Sequence, residues 1–281
     1  MTTPYDAPDW RGMSQQDLDS GLNNSTAVAG SADTVAGWER RSAEFRAAHP
    51  AHLDLRYGSR ERNRLDFFKA ANNAPTLLFI HGGYWQMRAK EAFSLFAAGP
   101  MAHGINVAMI GYTLAPDATL DGIVAEVHAA IDFLVGRTAD LGCDANRIVA
   151  SGWSAGGHLT AMAMSHPRVS GGVGISGIYD LEPIRHSYLN AKLGLDQAMS
   201  HRNSPMMLAE AAVKPLALTV GAAELPLLRK QTSDFAGHRS RRGLPVSYEE
   251  IPHANHFTIM DEMLSSTGGI TMMIRQVFER I

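Results

Sequence analysis

A serine between two glycines lies where a predicted strand passes directly into a predicted helix, in residues 147–164 of this 281-residue chain. Residues 148–151 form a short apolar run typical of a buried strand, and residues 155–164 are rich in Ala, Leu and Met, which favour a helix. Gly152-Trp153-Ser154-Ala155-Gly156 joins them and matches G-x-S-x-G in the context that gives this pattern its meaning. Such a corner is strained and needs small neighbours. Because it lies at the end of the strand, the Ser154 hydroxyl is expected to project from the carboxyl edge of a sheet.

Short apolar runs alternate with helical patterns along the rest of the chain. This alternation predicts an α/β fold with a mostly parallel, doubly wound sheet, whose binding sites lie at the carboxyl ends of the strands. We expect one domain over residues 1–281, with an irregular N-terminal arm over 1–36 and a small cap insertion with short helices over 184–213. The predicted strands are 53–57, 65–69, 76–80, 106–110, 148–151, 172–176, 216–220 and 246–251, and the predicted helices are 38–48, 90–101, 120–136, 155–164, 227–242 and a segment from about 258 that breaks at 268–269.

The composition fits a globular enzyme and excludes several other classes of protein. Hydrophobic residues make up 45% of the chain and charged residues 19%, which excludes disorder throughout. The net charge of -3 gives no sign of nucleic-acid binding, and the single cysteine, Cys143, excludes an internal disulfide framework. The first residues lack the features of a signal peptide and no apolar run could span a bilayer, so we expect a cytoplasmic protein. No ligand spacing predicts a metal, and we expect no cofactor.

Ser154 needs a general base, because its hydroxyl is almost wholly protonated at neutral pH. The base in turn needs an orienting acid, and chains with this nucleophile motif supply the serine, the acid and the histidine in that order. Glu224 and His256 keep this order, each in a loop just after a predicted core strand. His253 shares that loop and is the alternative base. His256 lies further along the loop and reaches back over the sheet edge more easily, so we predict Ser154, His256 and Glu224 as a catalytic triad.

The segment His81-Gly82-Gly83-Tyr84-Trp85 follows the predicted strand 76–80 and is the third piece of the predicted site. Attack on a carbonyl places negative charge on its oxygen, and backbone N–H groups aimed in advance stabilise that charge. Glycines allow the backbone to approach a substrate closely. We therefore predict an oxyanion hole made by the N–H groups of Gly83, Tyr84 and Ala155. His81 is expected to shape its turn rather than to transfer protons.

With these residues placed, the chain resembles the α/β-hydrolase arylformamidases, or kynurenine formamidases, which are relatives of the hormone-sensitive-lipase-like esterases. The resemblance implies an α/β-hydrolase fold and hydrolysis of N-formyl-L-kynurenine to L-kynurenine and formate, and it is compatible with a homodimer. The family's catalytic acid is typically Asp, where this sequence has Glu224. The matching residues lie between Leu77 and Phe257: His81-Gly-Gly-Tyr-Trp-Gln86, Thr119-Leu-Asp121, Ser154-Ala-Gly156 with His158-Leu159, Ser176-Gly177, Asp180-Leu-Glu-Pro-Ile184, Arg202-Asn-Ser-Pro205, Val220-Gly221 with Pro226, and His256-Phe257.

Three aromatic residues beside the predicted oxyanion donors suit an aryl substrate. A formyl group needs almost no acyl pocket, whereas an aromatic leaving group favours flat apolar walls. We predict that some of the rings of Tyr84, Trp85 and Trp153 pack on the substrate. The alternative for Trp153 is burial beneath the turn at Ser154, and no residue is predicted for the amino-acid end of the substrate.

Two other functions remain open from the residues alone. One is a carboxylesterase for small acyl groups with the same triad, which would bind a small ester instead of an aromatic formamide. The other is a catalytically silent fold of the same kind that binds a ligand. In each case the expected partner is a small molecule, and neither nucleic acid nor membrane is expected.

Overall fold

Eight strands form one sheet in the computed structural model, which describes residues 9–208 and 213–281. The strand order across the sheet is β1-β2-β4-β3-β5-β6-β7-β8. The pairings of β1 with β2 and of β2 with β4 are antiparallel, and all the others are parallel. The strands are β1 Leu55–Arg56, β2 Arg64–Phe68, β3 Ala74–Ile80, β4 Asn106–Ile110, β5 Cys143–Trp153, β6 Val169–Ile175, β7 Leu216–Gly221 and β8 Val246–Ile251.

Helices connect the parallel strands and cover both faces of the sheet. The α-helices are α1 Gln15–Gly21, α2 Asn24–Ala27, α3 Ser31–Ala48, α4 Ala98–Met101, α5 Leu120–Gly136, α6 Thr138–Leu141, α7 Ala155–Ala163, α8 Glu182–Arg185, α9 Asn190–Leu193, α10 Gln197–Arg202, α11 Pro226–Arg241 and α12 Gly269–Glu279. Short 3₁₀ helices span Trp10–Gly12, Lys90–Ala97, Pro205–Met207 and Thr258–Met263.

The two sides of the sheet bury two separate hydrophobic cores. Successive side chains of a strand point to opposite faces, and β3 follows this rule. Leu78 and Ile80 pack with α5, α7 and α11 in one core, whereas Leu77 and Phe79 pack with α3, the 3₁₀ helix Lys90–Ala97 and α12 in the other. The mostly parallel, doubly wound sheet predicted from the sequence is therefore confirmed.

The N-terminal segment differs from the irregular arm predicted over residues 1–36. Residues 1–8 lie outside the described residues, but α1, α2 and the start of α3 are helical. Two of the Ser and Asn residues that make the segment look irregular serve as helix caps. The Ser14 hydroxyl accepts a hydrogen bond from the N–H of Asp17 at 3.2 Å, and Asn23 Oδ1 accepts one from the N–H of Thr26 at 3.1 Å.

Short helices also occupy most of the segment predicted as a cap, of which residues 209–212 lie outside the described residues. The end of α10 is fixed to the start of α5. Arg202 makes a bidentate ion pair with Asp121, with its shorter contact at 2.6 Å, and Asn203 Nδ2 donates to the same carboxylate at 2.7 Å. These contacts hold the segment against the carboxyl edge of the sheet.

A cluster of charges with Lys90 and Asp66 at its buried centre ties the antiparallel edge of the sheet to its neighbouring helices. Lys90 Nζ donates to Asp54, Asp66 and Glu91, each at 2.8 Å. Asp66 is fully buried on β2, and Arg46 of α3 is its second cationic partner. Buried charges need this degree of pairing, because removing them from water is costly.

We expect the Lys90→Met substitution to lower the free energy of unfolding by about 3 kcal/mol, because Asp66 then stays buried with Arg46 as its one cationic partner. The matched control is Arg275→Met, which removes an exposed pair with Glu279 and should change stability by about 0.5 kcal/mol or less. Urea denaturation followed by circular dichroism measures both values. Equal losses in the two variants would contradict the prediction.

Candidate active site

Ser154 occupies the sharp corner between β5 and α7. Its backbone has φ 59° and ψ −117°, a conformation that a residue with a side chain rarely adopts. The corner is held by a hydrogen bond from the N–H of Ser154 to the carbonyl of Ile175 at 2.8 Å. The strand–turn–helix geometry predicted for the G-x-S-x-G motif is therefore present.

Gly156 allows α7 to start this close to the sheet. A Cβ atom at Gly156 would collide with the carbonyl oxygen of Ile80 at the end of β3. Both sides of this contact are backbone, so no side chain can move aside. The helix N-terminus, with its partial positive charge, thus lies directly at the carboxyl edge of the sheet.

Glu224 and His256 are brought together by the loops that follow β7 and β8. His256 Nδ1 lies 2.6 Å from Glu224 Oε2, and both side chains are buried. Because a carboxylate accepts this hydrogen bond, Nδ1 carries a proton. In the neutral form of the ring, Nε2 then carries the lone pair and can accept a proton. The rival His253 is exposed, so the structure brings His256 and not His253 to the acid.

The other carboxylate oxygen of Glu224 is held by groups from two neighbouring strand ends. Oε1 accepts hydrogen bonds from the hydroxyl of Ser176 at 2.5 Å and from the N–H of Gly221 at 2.8 Å. No role was predicted for Ser176 from the sequence. The available signal was a serine followed by glycine at the end of a core strand, on the edge where the other site residues lie.

Trp153 connects the His256 loop to the corner at Ser154. Its indole N–H donates to the carbonyl of His256 at 2.8 Å, and the two rings lie 4.7 Å apart. The ring is almost fully buried, and its other contacts include Trp38 at 5.6 Å and Phe257 at 5.8 Å. These contacts favour the packing alternative for Trp153, while a contact with substrate stays a prediction.

The predicted oxyanion loop runs beside Ser154 in an unusual conformation. A Cβ atom at Gly82 would lie 3.1 Å from the Cβ of Ser154. The next three residues all have positive φ angles, 117° for Gly83, 49° for Tyr84 and 59° for Trp85. Within the described part of the chain, the N–H groups of Gly83, Tyr84 and Ala155 donate to no protein atom. They remain available to an oxygen atom of a substrate.

The rings of Tyr84 and Trp85 point into the protein. Trp85 has no exposed surface and meets the ring of His158 edge-on at 5.0 Å. Tyr84 keeps 9% of its surface exposed, so of the three predicted aromatic residues it has the most surface open to a ligand. The roles of these rings in substrate binding stay predictions.

Two further histidines near the corner are buried and serve the structure. Burial lowers the pKa of His81 to about 3, and its Nδ1 donates to the carbonyl of Gly82 at 2.8 Å. Burial likewise lowers the pKa of His158 to about 4, and its Nε2 donates to the carbonyl of Asn203 at 2.7 Å. Both rings are neutral at physiological pH, and His158 links α7 to the segment after α10.

Within residues 9–208 and 213–281, no three His, Cys, Asp or Glu side chains are grouped as ligands for a metal ion. Among the helices of those residues, none has both the length and the apolar character that a membrane span requires.

Comparison with known proteins gives similarities along nearly the whole chain. A family model described as BD-FAE matches residues 65–170. The kynurenine formamidase of Salmo salar is 30% identical over 240 residues, 79% of this chain and 80% of that protein. The kynurenine formamidase of Danio rerio is 27% identical over 288 residues, 95% of this chain and 97% of that protein.

Among solved structures, a candidate thioesterase from Silicibacter sp. tm1040 is similar with a TM-score of 0.84 and 26% identity. The match covers 92% of this chain and 99% of that one. Together with the sheet topology, this similarity confirms the predicted α/β-hydrolase fold.

We expect Gly156→Ala to lower the free energy of unfolding by about 3 kcal/mol, because the new methyl group meets the backbone of Ile80. The matched control is Gly37→Ala in the middle of α3, where a Cβ atom would meet nothing within 4 Å. That variant should gain about 0.5–1 kcal/mol from helix propensity. Thermal denaturation should give opposite signs for the two changes, and a neutral Gly156→Ala would contradict the close contact.

Proposed function

The chain belongs to the kynurenine formamidase family, and from this membership we propose that it hydrolyses N-formyl-L-kynurenine to L-kynurenine and formate. The chain is a hydrolase, and the proposal concerns its substrate and the residues that act on it. The observation that carries the proposal is the buried pair of Glu224 and His256, in which Glu224 Oε2 lies 2.6 Å from His256 Nδ1. Glu224 and His256 follow β7 and β8 at the carboxyl edge of the sheet, the edge at which Ser154 follows β5.

In the proposed mechanism Ser154 is the nucleophile and His256 is first the general base and then the general acid. The Ser154 oxygen attacks the formyl carbon while His256 Nε2 accepts the hydroxyl proton. The carbonyl oxygen becomes negatively charged and is stabilised by the N–H groups of Gly83, Tyr84 and Ala155. The carbon–nitrogen bond then breaks, and the aromatic amine leaves with the proton from His256.

The second half of the reaction releases the formyl group from Ser154. A water molecule attacks the formyl ester, and His256 accepts one of its protons. The same oxyanion hole stabilises the second tetrahedral intermediate. When this intermediate collapses, His256 returns its proton to the Ser154 oxygen, and formic acid leaves and ionises to formate in solution. One water is consumed for each formamide, so the free enzyme is restored.

Glu224 is proposed to orient His256 and to stabilise the charge that the ring acquires. The glutamate stands where the family typically has aspartate. The hydrogen bonds from Ser176 and Gly221 hold one oxygen of its carboxylate, which leaves the other for the imidazole. These contacts support the same role for the longer side chain.

The proposed substrate fits the crowded surroundings of Ser154. A formyl group carries only hydrogen on its carbonyl carbon, so the site needs no acyl pocket. Trp85 and Trp153 are buried and are proposed to support the loops from behind. Tyr84, which keeps some exposed surface, is proposed as the ring nearest to the aryl group of the substrate.

A substrate panel tests this function. We expect purified protein to hydrolyse N-formyl-L-kynurenine with a higher kcat/KM than p-nitrophenyl acetate. We expect Ser154→Ala to lower both activities by at least about 10³-fold, because the nucleophile is lost. Kynurenine release is followed by absorbance, with circular dichroism as the control for folding.

Each other outcome of the panel has a definite meaning. Activity on esters alone would reject the formamidase function and support a small-acyl carboxylesterase. Absence of both activities, together with no labelling of Ser154 by a fluorophosphonate, would indicate a silent fold.

We expect Glu224→Gln to lower kcat by about 10²–10⁴-fold, because an amide no longer fixes the productive tautomer of His256 or stabilises its charge. Glu224→Asp should retain more activity than Glu224→Gln, since it keeps the carboxylate. The matched control is Glu249→Gln, which makes the same chemical change at an exposed position of β8. Steady-state kinetics measure all three, and full activity of Glu224→Gln would reject the role.

A further inference from the structure

The hydroxyl of Tyr84 joins the predicted oxyanion loop to the N-terminal helices. It donates to the carbonyl of Leu22 at 2.5 Å and accepts a hydrogen bond from Asn24 Nδ2 at 3.2 Å. All three residues are buried, so water does not compete for these bonds. Burial also raises the pKa of Tyr84, so the hydroxyl keeps its proton and its role as donor to Leu22 is fixed.

The local structure of the N-terminal segment explains why these two partners are available. Helix α1 ends at Gly21 and α2 begins at Asn24, so Leu22 and Asn23 form the turn between them. A carbonyl at a helix C-terminus has no partner within its own helix. The carbonyl of Leu22 is therefore free to accept from Tyr84, and the first residue of α2 supplies the second bond.

The N-terminal helices are themselves fixed to the segment after α8. Gln15 Nε2 donates to the carbonyl of His186 at 2.9 Å, and the N–H of Tyr188 donates to Asp19 Oδ1 at 2.8 Å. The oxyanion loop reaches the same segment, since Gln86 Nε2 donates to the carbonyl of Leu189 at 2.8 Å. The loop, the N-terminal helices and residues 186–189 thus form a closed circuit of hydrogen bonds.

This circuit acts on a residue with a strained backbone. Tyr84 has φ 49°, a conformation that is unfavourable for a residue with a side chain and that persists only where the surrounding structure holds it. Rotation about φ changes the orientation of the N–H group relative to the anchored side chain. If the anchor were lost, the backbone could relax to a conformation in which that N–H no longer points towards the substrate.

Building on the proposed function, we propose that the Tyr84 hydroxyl, the Leu22 carbonyl and the Asn24 amide are positioning groups for the oxyanion hole. They hold Tyr84 in the left-handed conformation that aims its N–H at the developing negative charge. The N-terminal helices are then part of the active site, although none of their residues touches the reacting atoms. A purely structural role would instead affect stability alone.

The Tyr84→Phe variant tests this role, because it keeps the ring and the backbone N–H and removes only the hydroxyl. We expect kcat to fall by about 10–100-fold, less than the 10²–10³-fold typical of losing one oxyanion donor completely. KM should stay within about threefold, since the interaction acts mainly on the transition state. A kcat within about twofold of the parent would overturn the proposal.

The matched control is Tyr57→Phe at the far edge of the sheet. The Tyr57 hydroxyl also donates to a backbone carbonyl, that of Gly111 at 2.5 Å, and accepts from an asparagine, Asn63 Nδ2 at 3.4 Å. The two variants lose the same kinds of hydrogen bond. We expect a similar loss of stability in both and a loss of kcat in Tyr84→Phe alone. Equal effects on kcat would overturn the proposal.

Inhibitor binding separates positioning from general damage. Benzeneboronic acid adds to a serine hydroxyl as a tetrahedral anion, and its affinity should fall in Tyr84→Phe by the same factor as kcat/KM. The affinity of the product L-kynurenine should change by less than about threefold. If both ligands weaken equally, the hydroxyl does not act through the oxyanion hole.

A second variant and a second substrate make the test of the positioning role decisive. If Tyr84→Phe does not fold, Asn24→Ala removes only the longer of the two bonds, and we expect about a 3–10-fold fall in kcat; an unchanged kcat would reject the role. All variants are assayed on p-nitrophenyl acetate as well as the formamide, because both reactions form an oxyanion. Failure on the formamide alone in the parent protein rejects the proposed substrate, whereas unchanged ester hydrolysis in Tyr84→Phe rejects the positioning role.

Discussion

The candidate site is arranged around the hydrogen bonds to the buried carboxylate of Glu224. A charge without exposure to water is tolerated only when its oxygens are hydrogen-bonded, and here the donors come from three consecutive strand ends. Ser176 follows β6, Gly221 ends β7 and His256 follows β8. Placing this carboxylate therefore requires the parallel order of these strands, and it fixes the imidazole at the same time.

Elements set by local patterns were predictable from the sequence. The runs at 106–110 and 246–251 coincide with β4 and β8, because short apolar or alternating runs between turns specify strands directly. Ser154, Glu224 and His256 were predicted because each follows a strand and their order along the chain is characteristic, and the contact between Glu224 and His256 is present in the structure. Contacts between distant residues were not predictable. The hydrogen bond from Ser176 to Glu224 and the charge cluster at Lys90 leave no periodic signal.

The N-terminal helices show why composition can mislead. Ser and Asn weaken a helix in its interior, yet Ser14 and Asn23 stand at helix starts, where their side chains satisfy free N–H groups. The same residue types therefore indicate either a loop or a cap. Only the packing of Leu18 and Leu22 into the core decides between them, and that packing depends on partners far along the chain.

The contacts of the N-terminal helices also bear on the order in which the molecule assembles. Gln15 binds a carbonyl 171 residues further along the chain, and Asn24 binds a side chain 60 residues away. During synthesis these helices emerge before the residues that they bind, which lie in the segments around Tyr84 and His186. The circuit of hydrogen bonds that includes the loop at Tyr84 can therefore close only after residues 186–189 have been made.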